Sequence, residues 1–169
     1  MRWRRLLQAV LNVSCLTPLY ATPAAAGCGV NCQLYSLWSN QCLQPAGGST
    51  RQGAAIVQQP CNGSAAQEWT KVHVSGNTYR YVNGLSGLCL DARGGAVNHT
   101  PVQQWTCNNI SNENWDPGED IDDDIPPLKS RVSGTSSYCL DMPGGQKSAG
   151  LAMQIYRCNG TVAQQWWTP

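Results

Sequence analysis

Cysteine offers the most chemistry in this chain: nine of its 169 residues are Cys, an odd number. As thiolates they would be nucleophiles or metal ligands; as cystines they would be covalent staples. The only two histidines are His73 and His99. Neither stands at metal-ligand spacing, and no Ser/His/Asp or Cys/His signature surrounds them. Six of the ten acidic residues fall in one run: Asp116, Glu119, Asp120, Asp122, Asp123 and Asp124. Clustered carboxylates can hold Ca²⁺, but the EF-hand spacing is missing. With Pro117, Gly118, Pro126 and Pro127, residues 116–127 read as an exposed, solvated insertion. No metal and no cofactor is expected.

The composition excludes other classes. Only 12% of residues are charged and the formal net charge is +1, so no basic surface for nucleic acid is expected. Residues 1–26 read as a secretory signal peptide. Arg2, Arg4 and Arg5 are basic, Leu6 to Tyr20 is mostly apolar, and Ala24-Ala25-Ala26 offers a small-residue cleavage site. The apolar run is interrupted by Gln8, Asn12 and Pro18, too soon for a membrane span. Ala26-Gly27-Cys28 also resembles a lipoprotein processing site weakly, with Ala25 where such sites carry Leu; anchoring at Cys28 is a minor alternative to secretion. Removing residues 1–26 takes three basic residues and Cys15, which leaves 8 basic against 10 acidic residues and eight Cys. An even number of Cys in an exported chain implies disulfides.

The remaining chain is a threefold repeat. Cys42-Leu43-Gln44, Cys61-Asn62-Gly63 and Gln67-Glu68-Trp69 form the first unit. The second contains Cys89-Leu90-Asp91, Cys107-Asn108-Asn109 and Glu113-Asn114-Trp115. The third contains Cys139-Leu140-Asp141, Cys158-Asn159-Gly160 and Gln164-Gln165-Trp166. The Cys separations are 19, 18 and 19 residues, and the second Cys precedes the Trp by 8 in every unit. Eight Cys allow 105 pairings. Equivalent units should use equivalent bonds, which selects Cys42–Cys61, Cys89–Cys107 and Cys139–Cys158, each worth ~3 kcal/mol in the chain-entropy model. Cys28 and Cys32 are left to close a small loop, or to bond to another chain.

Short alternating segments such as Tyr79-Arg80-Tyr81-Val82, Val102 to Trp105 and Met153 to Tyr156 predict strands. Asn83-Gly84, Gly94-Gly95, Gly144-Gly145 and Asn159-Gly160 punctuate them as turns. About four strands per unit, about twelve in all, make the chain all-β. Propeller blades share this period, but three blades are fewer than propellers use. Each Gln-x-Trp reads as structure: the Trp for the core and the Gln amide for backbone in a turn.

Together, Cys-Leu-Asp, Gln-x-aromatic-x-Cys and Cys-Asn before Gln-x-Trp resemble the ricin-B-type lectins, and especially family 13 carbohydrate-binding modules. The resemblance covers about residues 33–169. It implies a disulfide-stapled β-trefoil, a six-stranded barrel capped by three hairpins, with repeats at about 33–70, 71–116 and 128–169. Residues 27–32 would be an N-terminal Cys-containing segment.

The resemblance also implies sugar sites. The Asp of Cys-Leu-Asp would accept hydrogen bonds from sugar hydroxyls, the aromatic would stack on the ring, and a Gln and an Asn would complete the pocket. The second repeat has all four: Asp91, Gln103, Trp105 and Asn112. It departs at Glu113, where the motif has Gln. The third has Asp141, Gln154 and Tyr156, with Ala163 in place of Asn, and should be the weaker site. The first has Gln44, Val57, Gln59 and Ala66 at these positions and should have no site. Asn108 and Asn159 are secondary candidates. Asn62, Asn98, Asn109 and Asn159 begin glycosylation sequons.

The leading expectation is a secreted, non-catalytic carbohydrate-binding protein for galactose-, xylose- or arabinose-type saccharides. It would bind mainly through the second repeat, and a catalytic domain has no room beside a trefoil. An alternative is an interaction subunit docked on a secreted toxin or enzyme chain. A trefoil protease inhibitor is a third class, without an identifiable reactive loop.

Overall fold

A computed structural model describes residues 33–118 and 125–168 of the chain. The signal segment 1–26, the segment 27–32 with Cys28 and Cys32, and Glu119 to Asp124 of the acidic insertion lie outside the described residues. Among the described residues eleven strands form, joined by turns and six short 3₁₀ segments. In chain order they are β1 (Tyr35–Ser36), β2 (Gln41–Pro45), β3 (Ile56–Pro60), β4 (Trp69–Ser75), β5 (Thr78–Asn83) and β6 (Cys89–Ala92). Then follow β7 (Thr100–Trp105), β8 (Trp115–Asp116), β9 (Lys129–Ser130), β10 (Tyr138–Asp141) and β11 (Gln154–Arg157). A twelfth strand is reduced to single bridges at Gln165 and Trp167.

Each repeat contributes one antiparallel hairpin: β2 with β3, β6 with β7, and β10 with β11. The three hairpins meet pairwise: Ala55 bridges Gln103, Ile155 pairs with Thr100, and Val57 bridges Ala152. Below them, β4, β5, β8 and β9 pair in succession. Pro127 bridges Gln165, and Tyr35 bridges Trp167, so the last segment returns to the first. This is the β-trefoil: the hairpins are two-stranded and share one ring of strands, whereas propeller blades are separate four-stranded sheets.

The motif residues explain why each unit folds alike. Leu43, Leu90 and Leu140 are fully buried, as are Trp69 and Trp115, and Trp166 is 1% exposed. Each Trp places its ring in the core and must find a partner for its N–H. Nε1 of Trp69, Trp115 and Trp166 donates to the carbonyl of Leu43, Leu90 and Leu140 at 3.0, 2.9 and 3.0 Å. Removing one ring would cost about 3–5 kcal/mol. Disulfides Cys42–Cys61, Cys89–Cys107 and Cys139–Cys158 staple the hairpins, with Cα atoms 5.1, 5.2 and 5.1 Å apart. The bonded pairs are those the repeat selects.

The expected insertion at 116–127 is built into the fold at both ends. Asp116 lies in β8, pairs with Lys129, accepts from Thr78 Oγ1 at 2.6 Å and faces Arg131 at 3.3 Å. Pro127 belongs to the bridge with Gln165. With these partners Asp116 is a strand residue and not part of a loop.

Candidate functional site

The carboxylate of each Cys-Leu-Asp ends the first strand of a hairpin, and the pocket Gln stands directly across the ladder: Asp91 opposite Gln103, Asp141 opposite Gln154. Strand register therefore sets the first polar contact. Gln103 Nε2 donates to Asp91 Oδ1 at 2.8 Å, and Gln154 Nε2 donates to Asp141 Oδ2 at 2.8 Å. Two residues along the same strands, Trp105 and Tyr156 are only partly buried. A ring left half-exposed beside a hydrogen-bonded carboxylate can lie against the C–H face of a sugar while the oxygens accept from its hydroxyls.

The motif Gln reaches the same pocket from behind. Gln164 Oε1 accepts from Asn159 N at 2.9 Å, and its Nε2 donates to Asp141 Oδ1 at 3.0 Å and to Arg157 O at 3.2 Å. Gln67 does likewise in the first repeat, donating to Gln44 Oε1 at 3.0 Å. Glu113 is fully buried at this position in the second repeat. Its carboxylate accepts the backbone N–H of Asn108 and Asn109 at 2.8 and 3.1 Å, and has no hydrogen to offer Asp91. Burial raises the Asp91 pKa above 3.8; Gln103 opposes this and the Glu113 charge adds to it. Burial also raises the Asp141 pKa, but Gln154, Gln164 and the nearby His99 all lower it.

The remaining candidates divide. Asn112 stands beside Asp91's strand and donates its amide hydrogens to Ala92 O and Gly94 O at 3.0 and 3.1 Å. It braces the loop that follows β6. Ala163 lines the third pocket at the matching place and brings no polar side chain to it. Asn159 Oδ1 accepts from Thr161 N and Oγ1 at 3.1 and 2.8 Å, an Asx turn at the pocket rim. Asn108 is exposed, and its backbone serves Glu113. In the first repeat Gln44 replaces the carboxylate, and Val57 is buried and bridged to Ala152. Among the described residues, no group of His, Cys, Asp and Glu could hold a metal ion, and no helix is long and apolar enough to cross a membrane.

The third repeat opens into a groove of about 520 Å³ lined by Asp141, Gln154 and Tyr156. Two further walls come from other repeats and were not read from the motifs. His99, which precedes β7, meets Tyr156 edge-on with centroids 5.1 Å apart and bonds Gln154 Oε1 through Nδ1 at 3.0 Å. Trp38, in the turn between β1 and β2, lines the Gly144–Gly145 end. A signal for His99 exists: it stands eight residues before the second Cys, where the other units have Gly53 and Gly150. All three have positive φ, 82° and 83° for the glycines and 67° for His99. A side chain there is strained, and such strain concentrates at functional positions. Trp38 carries no comparable signal, because the motif does not include its position.

Known proteins share this architecture. Residues 30–166 match the family model described as the ricin-type beta-trefoil lectin domain. A designed threefold-symmetric protein, ThreeFoil, superposes with a TM-score of 0.76 at 27% identity, covering 82% of this chain and 96% of that one. An exo-beta-1,3-galactanase from Clostridium thermocellum gives 0.75 at 28% identity; 83% of this chain matches only 30% of the enzyme. The Macrolepiota procera ricin B-like lectin, solved in complex with lactose, gives 0.68 at 18% identity over 83% and 94% of the two chains. No curated protein matches the chain. Three equivalent hairpins, three buried Gln-x-Trp-type turns and the match across residues 30–166 place the chain in the ricin-type beta-trefoil lectin domain family.

Proposed function

We propose that the chain is a secreted, non-catalytic carbohydrate-binding protein that takes a neutral saccharide at its second and third repeats. The observation that carries this reading is the paired geometry of Asp91 with Gln103 and Asp141 with Gln154, each beside a half-exposed ring two residues along the strand. The second repeat has the full set, Asp91, Gln103, Trp105 and Asn112, and is the main site for a single terminal sugar. The third, with Ala163 for Asn, holds one sugar ring more weakly. The first repeat, uncharged at Gln44, holds none. A galactose-, xylose- or arabinose-type unit suits the arrangement, since its adjacent hydroxyls can share one carboxylate. Secretion is supported by the leader-like residues 1–26 and by three disulfides, which persist in oxidising compartments.

Calorimetric titration of the oxidised protein with galactose, xylose and arabinose tests the reading. Saturable binding is the expected result. Absence of binding to all three, and to oligosaccharides built from them, would overturn it.

A further inference from the structure

Trp38 is an unusual residue to find on a surface turn. It is 41% exposed, yet it is fixed at several points. Its Nε1 donates to Gly145 O at 2.9 Å, across 107 residues of sequence. Lys147 Nζ lies 3.6 Å from the ring centroid, a cation over its face. The turn that carries it is braced as well: Tyr35 OH donates to Asn40 Oδ1 at 2.8 Å, and Asn40 N donates to Ser36 O at 2.9 Å. Asn40 itself has φ 56°, a left-handed conformation that holds the turn's exit. Lys147 covers one face, so a fold that holds the indole rigid and 41% exposed leaves its other face as a platform. At the equivalent place, four residues before the first Cys, the second and third repeats have Leu85 and Thr135. The aromatic occurs only in the turn that overhangs the third-repeat groove.

His99 supplies the other irregularity. It occupies a backbone position that glycine takes twice, and its Nδ1 holds the Oε1 end of Gln154 while Asp141 holds the Nε2 end. The amide is thereby clamped from both sides. Beside the second repeat's ring the first repeat supplies Gly53 at that place, and a Cβ added there would meet the Trp105 ring at 3.6 Å. The strained histidine thus belongs to the one groove that Trp38 also lines.

We propose that the third-repeat groove is a site for two consecutive sugar units, assembled from all three repeats. One unit sits at Asp141, Gln154 and Tyr156, with Gln154 oriented by His99. The next unit lies on Trp38. The occupant is the end of a neutral disaccharide or longer chain, because the second platform is an aromatic surface whose adjoining cation, Lys147, is already engaged by the ring. The volume of about 520 Å³ exceeds what one pyranose fills and lies within the range of sites that enclose larger ligands. The inference rests on the sugar-binding reading of the third repeat and adds a subsite to it.

The test uses the full oxidised protein carrying Asp91→Ala, which silences the second repeat. Galactose and lactose, and xylose and xylobiose, are titrated as matched pairs. For at least one pair, the disaccharide should bind about tenfold more tightly than the single sugar, a difference of about 1.4 kcal/mol. Trp38→Ala in the same background should reduce that ratio below about twofold. Trp38→Phe, which keeps an aromatic face but loses the bond to Gly145, should retain most of the ratio; if it behaves as Trp38→Ala, the indole braces the turn and holds no sugar. His99→Gly should weaken the single sugar and the disaccharide alike, with thermal stability kept or raised. Equal affinity for both members of both pairs, or a ratio that survives Trp38→Ala, would overturn the proposal. If the Asp91→Ala protein binds no sugar while the parent binds, the third repeat is not a site and the proposal falls alone. If the parent binds none either, the sugar-binding reading fails with it.

Discussion

The second and third repeats place the same carboxylate, the same cross-strand glutamine and an aromatic ring at the same points of the trefoil. Their carboxylates nevertheless have different surroundings. Asp141 accepts from two amides, one on each oxygen, with His99 beyond. Among the described residues, Asp91 accepts from one amide, that of Gln103, and faces the buried Glu113. A single replacement, Gln by Glu, converts a donor behind the pocket into a like charge. Local sequence at the site is conserved within the chain, while the site's electrostatics depend on a residue more than 20 positions away. The two sites should therefore differ more in their response to acid than in their shape.

The largest effect should come from removing the carboxylates themselves. Asp91→Ala and Asp141→Ala should each remove one class of site, with a loss of about 30- to 100-fold at that site, as expected for a charged hydrogen-bonding group. The double variant should bind nothing by calorimetry. If Asp91→Ala leaves single-sugar affinity unchanged, the second repeat is not the main site.

Glu113→Gln tests the contrast directly. It should restore the donor seen in the other repeats and remove the like charge. A carboxylate whose folded pKa is raised lowers stability above that pKa, and the penalty disappears as pH falls below the unfolded value of 3.8. The variant should therefore be more stable by about 1 kcal/mol at pH 7, or ~3 °C in Tm, with the gain shrinking as pH falls toward 3.8. A gain that is the same at all pH values would show that the effect is packing and not charge. Thermal melts at several pH values read this out.

Acidification should also separate the sites in binding. Protonation removes a charged acceptor, so affinity falls as pH drops through each raised pKa. Asp91, with one amide donor and a like charge nearby, should lose its sugar at a higher pH than Asp141, which has two donors and His99. Titrations of the Asp91→Ala and Asp141→Ala proteins across pH 3–6 would show the order, and a reversed order would break the comparison.

The smallest effect concerns the backbone. His99→Gly should relieve left-handed strain and raise stability by about 1 kcal/mol, whereas Gly53→Ala should lower it by a similar amount. Chemical denaturation checks both. Equal responses at the two positions would mean that His99 carries no strain.

Much of this molecule was legible before folding. The repeat of Cys, Leu and Trp required equivalent units, and equivalent units required equivalent disulfides and equivalent Trp burial. The Asp–Gln pairing was not read from the sequence, since it depends on the strand register that the fold supplies. Asn112 was expected to complete a pocket, and its amide donors serve the loop carbonyls of Ala92 and Gly94. Asp116 read as part of a solvated acidic run and instead lies in a strand with Arg131 and Thr78. Proximity in sequence to other acids said nothing of the partners that folding would bring.

The sequence by itself determined the all-β class, the threefold division and the cystine pairs. These depend on local spacing, which needs no knowledge of distant neighbours. The tertiary structure alone decided which repeats share a pocket. Trp38 reaches Gly145 because closure of the trefoil at Tyr35 and Trp167 carries the first turn onto the third hairpin. His99 reaches Gln154 because β7 pairs with β11. Both contacts cross repeat boundaries, and side-chain types do not encode such contacts until the barrel closes and fixes the angle between units.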